Sequence, residues 1–206
     1  REGALIMARS RRRSQNSDTN YWIGYTDLLS TSLLILLITV AIAALARASN
    51  EKPPLVPLTE RESFRFSTGS YVLSPDFKQA LDRRLPDIRE IIKKYRIDSV
   101  EVIGHTDGQP SPGMSNLDLL MPKANRSSTL NGFLAGSNTD LGLLRALAVA
   151  HELRARLDPD GSEGLIIRPY SAGSLIEVDG RYAPADTKNR AERRRIELRF
   201  TRQENR

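Results

Sequence analysis

"YWIGYTDLLSTSLLILLITVAIAALAR", residues 21–47, divides the chain. From Leu28 to Leu45 it runs without a charge, and its polar members there are Ser30, Thr31, Ser32 and Thr39, whose hydroxyls can bond back to helix carbonyls. About 20 apolar residues in a helix cross the hydrocarbon core of a bilayer, so the stretch predicts one transmembrane helix over 21–47. A soluble core helix is usually shorter and keeps a polar face. A signal peptide has a shorter apolar region, although the continuation "ALARASN" (44–50) leaves cleavage as an alternative. One carboxylate, Asp27, stands just inside the start of the run, about one turn past the aromatic pair Trp22 and Tyr25.

Working outward, residues 1–20 form a basic arm. Arg9, Arg11, Arg12 and Arg13 precede the helix, against Arg47 and Lys52 after it. That asymmetry predicts a cytoplasmic amino terminus and an exported remainder, periplasmic in a bacterial inner membrane. Of the 206 residues, about 155 follow the helix, enough for one domain with its own core and too few for two large ones. Cysteine is absent, which removes disulfides and thiolate metal sites. The formal charge of +6 comes from 31 basic and 25 acidic side chains, with much of the excess in the arm and in "NRAERRRIELRFTRQENR" (189–206). Such a balance permits contact with anionic surfaces without requiring it.

In the exported part, "ASNEKPPLVPLTERE" (48–62) has prolines and no sustained periodicity, and is predicted to be a linker of at most about 50 Å. "SFRFS" (63–67) places Phe64 and Phe66 on one face of a short strand. Ser74 and Pro75 make a cap followed by a first-turn proline. Phe77, Leu81, Leu85, Ile88, Ile92 and Tyr95 then recur at helical spacing, with a bend expected at Pro86. A strand is predicted from Ser99 to Gly104, a long loop over 108–137, a helix from Asn138 to about Leu157, a strand in "GLIIRPYSAGS" (164–174), and a last strand in "RRRIELRF" (193–200). This order predicts an α/β domain over 63–201 with helices on one face of a small mixed sheet, and a short tail at 202–206.

"VIGHTDG" (102–108), "NTDLGLLRALAV" (138–149), "YSAGS" (170–174) and "NRAERRRIEL" (189–198) stand in that order. Together they resemble the OmpA-like peptidoglycan-binding domain, over residues 64–200. Two features depart from the pattern: the stretch after Gly108 is long, and Arg193 stands where the family often has asparagine. From the residues themselves, Asp107 ends a strand and Asn138 and Arg145 share a helix face. A carboxylate and a guanidinium so placed either receive a zwitterion or pair with each other. The resemblance implies the former: Asp107 takes the ammonium of the diaminopimelate group of a peptide stem and Arg145 its carboxylate. Asn138 and Thr106 would add hydrogen bonds, and Arg194 or Arg195 would support the pocket.

The arm, the aromatic-rich start "YWIGYTDLL" (21–29) and the domain that follows resemble, in that order, B-type (MotB-like) subunits of ion-driven rotary stators. That resemblance implies that Asp27 carries the coupling ion, H+ or Na+, with Thr26, Ser30 and Thr31 as neighbours able to ligate it or orient water. A carboxylate in hydrocarbon is costly unless neutralised, which agrees with such a role, while a place among head groups is the plain alternative. The implied partners are a second copy in a homodimer, a pentamer of A-type (MotA-like) multi-pass subunits, and peptidoglycan. The short linker brings the layout closest to the B subunit of Zorya anti-phage systems. A flagellar-type stator subunit and a passive membrane-to-wall tether remain the alternatives.

No cofactor, resident metal or enzymatic activity is expected. The two histidines, His105 and His151, stand in no nucleophile and base spacing. Nucleic acid is not expected as a partner, because Glu192 and Glu197 interrupt the terminal arginines and the alternation suits a strand with one solvated face.

Overall fold

The computed structural model describes residues 2–49, 52–60, 63–111, 113–124, 130–162 and 164–202, with side chains described for these except 2–20, 48, 49 and 123. The side chains of the basic arm and the tail beyond Arg202 therefore lie outside the described residues. The chain forms two compact units, Arg1–Glu51 and Lys52–Arg206.

The first unit is one helix, α1, Glu2–Ser49. Its segment Tyr21–Arg47 is long and apolar enough to cross a membrane, with a mean hydropathy of 2.6 over its most apolar window. Leucines and isoleucines stand exposed all around it, an arrangement that suits lipid or partner helices rather than water. Hydroxyls inside the span are bonded back to the helix: Thr26 to the carbonyls of Trp22 and Ile23, Thr31 to that of Asp27, Ser32 to that of Leu28 and Thr39 to that of Leu36. Trp22 and Tyr25 meet edge to face at 6.4 Å.

The second unit is a four-stranded mixed sheet with helices on one face. Its elements are β1 (Val56–Thr59), α2 (Pro75–Tyr95), β2 (Ser99–His105), α3 (Leu117–Ala124), α4 (Asn138–Leu157), β3 (Ile166–Gly173) and β4 (Arg195–Thr201). The strand order is β1-β4-β2-β3, with β4 antiparallel to both its neighbours and β2 parallel to β3. Across β2 and β4, Val100 faces Phe200 and Val102 faces Leu198, all buried, while Glu101 faces Arg199 on the other side. The period-two alternation of β4 thus places Ile196, Leu198 and Phe200 in the core.

Both long helices begin where the sequence predicts. The Ser74 hydroxyl caps α2 by accepting from the Phe77 amide, and the Ser137 hydroxyl caps α4 by accepting from the Asp140 amide. Helix α2 continues through Pro86 and ends on Arg96, which adopts the left-handed conformation (φ 51°) while Ile97 N–H returns to the Ile92 carbonyl. Phe77, Leu81, Leu85 and Ile88 of α2 and Ala146, Val149, Ala150 and Leu153 of α4 fill the core above the sheet.

Three segments differ from the sequence expectation. The linker predicted over 48–62 contains β1, because Val56 and Leu58 alternate inward opposite Leu198 and Ile196, and Pro57 fits an edge strand. "SFRFS" is irregular rather than a strand, although Phe64 and Phe66 still point the same way, each packing on Phe77 with ring centres 5.1 and 5.0 Å away. The stretch predicted as a loop over 108–137 contains α3, and Leu117, Ala124, Leu130 and Phe133 form a second core with Leu144 and Leu147 of α4.

The seating of α4 depends on two glycines. A Cβ at Gly104 would stand 2.0 Å from the Gly142 carbonyl oxygen, and one at Gly142 would stand 2.5 Å from the Ser171 hydroxyl. Backbone meets backbone here, so the first turns of α4 lie directly against β2 and β3.

On the opposite face of the sheet, Glu197 accepts from Arg195 at 2.7 Å and stands 3.4 Å from His105 Nε2. Burial pushes the Glu197 carboxyl up, but His105 and Arg195 outweigh it and hold it at about 2, below its ordinary 4.5. A carboxyl depressed in the folded state stabilises above the unfolded value and loses that contribution as pH falls through the folded one. Stability of this unit should therefore decline between about pH 4.5 and 2, and Glu197→Gln should flatten that part of an acid titration followed by circular dichroism. Gly104→Ala should cost about 3 kcal/mol or more in urea unfolding, since the clash is with backbone and cannot be relieved by a rotamer.

Candidate functional site

A cleft of about 510 Å³ opens where the ends of β1 and β2 meet the start of α4. Its chemistry comes from four segments distant in sequence. Glu60 follows β1, Thr106 and Asp107 follow β2, Asn138 and Arg145 belong to α4, and Arg194 precedes β4. A bulge in the β2–β3 pairing at Gly104/His105 redirects the end of β2, and Thr106 N–H then bonds to the Gly173 carbonyl at 2.8 Å.

Asp107 is nearly buried and fully engaged. Its Oδ2 accepts from Arg194 Nη1 and from the Arg190 amide at 3.3 Å, and its Oδ1 from the Gln109 amide at 3.3 Å. Arg194 in turn donates Nε and Nη2 to the two carboxylate oxygens of Glu60, at 2.8 and 3.2 Å, and Nη1 also to Asn189 Oδ1. This pairing holds the Arg194 guanidinium above its ordinary value, against the opposing effect of burial.

Arg145 has a different environment. Its side chain donates to the carbonyls of Ser70 (2.9 Å) and Ser67 (3.4 Å) and stacks its guanidinium 4.8 Å above the Phe66 ring. Burial and the neighbouring Arg194 pull it down to about 10, while Glu60 and Asp107 act the other way, so it is charged at neutral pH. Its described bonds are to neutral oxygens, and the internal Asp107–Arg145 pair left open by the sequence does not form: Asp107 pairs with Arg194 instead. A buried guanidinium bonded only to carbonyls is suited to receive an anion.

Asn138 donates to the Gln109 carbonyl at 2.8 Å and so pins the turn after Asp107 to the start of α4. The buried Thr106 hydroxyl lines the cleft without a hydrogen-bond partner among the described residues. Five of the six residues expected around a wall-peptide pocket thus surround one cleft. Arg195 does not: it is buried on the other side of the strand, bonded to Glu197 and to the carbonyls of Glu177 and Arg193. One residue along a strand reverses the face, which separates Arg194 from Arg195. Arg193 is buried as well, donating to the Ser174 carbonyl and lying 3.5 Å from Asp186 and 3.6 Å from Glu177. The long stretch after Gly108 contributes Gln109, Pro110 and Ser111 to the rim, while α3 packs against α4.

Local sequence pattern does not mark Glu60 or Asn189 as cleft residues. Glu60 lies in what reads as a linker, and the alternation of Val56 and Leu58 just before it is the signal that a strand leads to it. In α1, Asp27 is one turn before Thr31, whose hydroxyl donates to the Asp27 carbonyl at 2.7 Å.

No protein-family model matches the chain, and no curated protein matches it. Among solved structures, the chain is similar to the crystal structure of a MotB-like protein from Desulfovibrio vulgaris, at 18% identity and a TM-score of 0.42, over 72% of this chain and 75% of that one.

Proposed function

We propose that this chain is a single-pass membrane protein whose exported domain grips peptidoglycan, and that it serves as the wall-anchored B-type subunit of an ion-driven motor. The observation that carries the wall-binding half is the cleft. It sets a carboxylate, Asp107, and an anion-ready guanidinium, Arg145, on the walls of one cavity, with Thr106 and Asn138 beside them. Such a pair matches the free end of a diaminopimelate side chain, an ammonium and a carboxylate on one carbon. The four ordered motifs that resemble the OmpA-like domain support the same ligand.

The motor half rests on the apolar helix and on Asp27 within it, together with the resemblance of "YWIGYTDLL" to stator B subunits. Asp27 accepts and releases H+ or Na+ as surrounding A-type subunits move, and the ion gradient supplies about 2.3 kcal/mol per charge per 100 mV. The amino terminus is cytoplasmic, the protein is a homodimer, and the short connection from helix to domain favours an anti-phage role of the Zorya kind over flagellar motility. It is not an enzyme and holds no cofactor.

The chain in detergent should co-sediment with purified peptidoglycan sacculi. Asp107→Asn and Arg145→Ala should each lower the bound fraction about tenfold or more, as loss of one charged contact in a desolvated site does. Equal sedimentation of both variants would remove the cleft from wall binding. For the motor, Asp27→Asn co-expressed with the neighbouring genes should abolish protection in a phage-plating assay at unchanged membrane levels. Unaltered plating and unaltered motility would leave a passive tether.

A further inference from the structure

Glu60 belongs to no motif of the resemblance, yet both its carboxylate oxygens are held by an arginine of the cleft. Its side chain is 6% exposed, and both its oxygens accept from Arg194, at 2.8 and 3.2 Å. Arg65 approaches it at 3.7 Å but stands mostly in solvent. The same Arg194 also holds Asp107, so one guanidinium bridges two carboxylates that line the cleft.

This bridge poses a problem for any ligand with an ammonium group. To reach Asp107 the ammonium must share that carboxylate with Arg194, and two cations side by side repel each other in a site of low dielectric. Glu60 resolves the conflict. It neutralises Arg194 and can keep the guanidinium in a two-pronged grip while Asp107 turns to the ligand. With Glu60 present, two carboxylates balance the two inner guanidiniums, Arg145 and Arg194, while Arg65 stands in solvent at the rim, and that inner balance suits a zwitterion. Without it the cleft is net positive, Arg194 falls wholly to Asp107, and a plain carboxylate is received as well as a zwitterion.

We propose that Glu60 sets the preference of the cleft for a ligand carrying a free ammonium beside its carboxylate, and that it couples cleft occupancy to the docking of strand β1. The second part follows from position. Glu60 is the residue after β1, an edge strand held by four residue pairs to β4. A ligand that shifts Arg194 onto Glu60 strengthens the anchor of that strand, and an undocked strand weakens the ligand by the same factor. The proposal rests on the wall-binding reading above and adds to it a residue and a coupling.

The test uses the full chain in detergent micelles and two probes: a diaminopimelate-containing stem tripeptide with its free amine, and the same peptide acetylated at that amine. Wild type should bind the free-amine peptide more tightly by calorimetry. Glu60→Gln should weaken that peptide about tenfold and leave the acetylated one unchanged, so the preference collapses, while Glu60→Asp should restore part of it. In wild type, hydrogen exchange at the amides of Val56 and Leu58 should slow when the free-amine peptide binds. An unchanged preference in Glu60→Gln, an equal loss for both peptides, or exchange in β1 indifferent to the peptide would each overturn the inference with wall binding intact. Failure of wild type to bind either peptide would overturn the wall-binding reading itself.

Discussion

The contact between the backbones of Gly104 and Gly142 governs the placement of everything functional in the second unit. A side chain on either residue would meet backbone or the Ser171 hydroxyl, so the strand and the helix can approach only where both residues lack a Cβ. Because that approach occurs two residues before Thr106 and three residues before Arg145, it fixes the distance between the end of β2 and the guanidinium on α4. The bulge beside Gly104 then turns Asp107 toward the same cavity. Core packing by Phe77, Leu153 and Leu198 stabilises the unit, but it is the glycine pair that aligns the groups of the cleft.

The cleft itself is an electrostatic set assembled from ends of elements. Glu60, Asp107, Arg145 and Arg194 come from four places in the chain, and each is held by partners within hydrogen-bond reach. Arg145 differs from Arg194 in having carbonyls as its described partners, and this inequality gives the cleft polarity: one wall is already neutralised, and the other is open to a negative group. Such a division of roles between two arginines depends on which strand or helix end presents each, since Arg195, one position along, serves the opposite face of the sheet.

Much of this was legible in the sequence, for reasons that differ by element. Helix α4 could be placed by its serine cap and apolar spacing, and β4 by its strict alternation, because local patterns of that kind directly report burial. Asp107, Asn138 and Arg145 could be grouped because motif order carries tertiary information that periodicity lacks. Strand β1 was hidden by Pro57 and by its brevity, which matter little at an edge where one side needs no partner. Helix α3 was hidden by Pro122 and by glycine and serine around it, although Leu117, Leu120, Met121 and Ala124 keep helical spacing. Glu60 had only the alternation of Val56 and Leu58 before it as a signal, since an isolated carboxylate acquires its role from an arginine 134 positions away.

The second core has a consequence for how this chain can vary. Helix α4 is covered on one side by the sheet and α2, and on another by α3 with Leu130 and Phe133, and the Tyr71 hydroxyl locks that cover to the carbonyls of Leu130 and Phe133. A shortened chain lacking α3 would bare Leu144 and Leu147, both buried here, to water. The α3 segment and the apolar character of Leu144 and Leu147 therefore depend on each other, and removing the cover without making both positions polar would leave a sticky helix face.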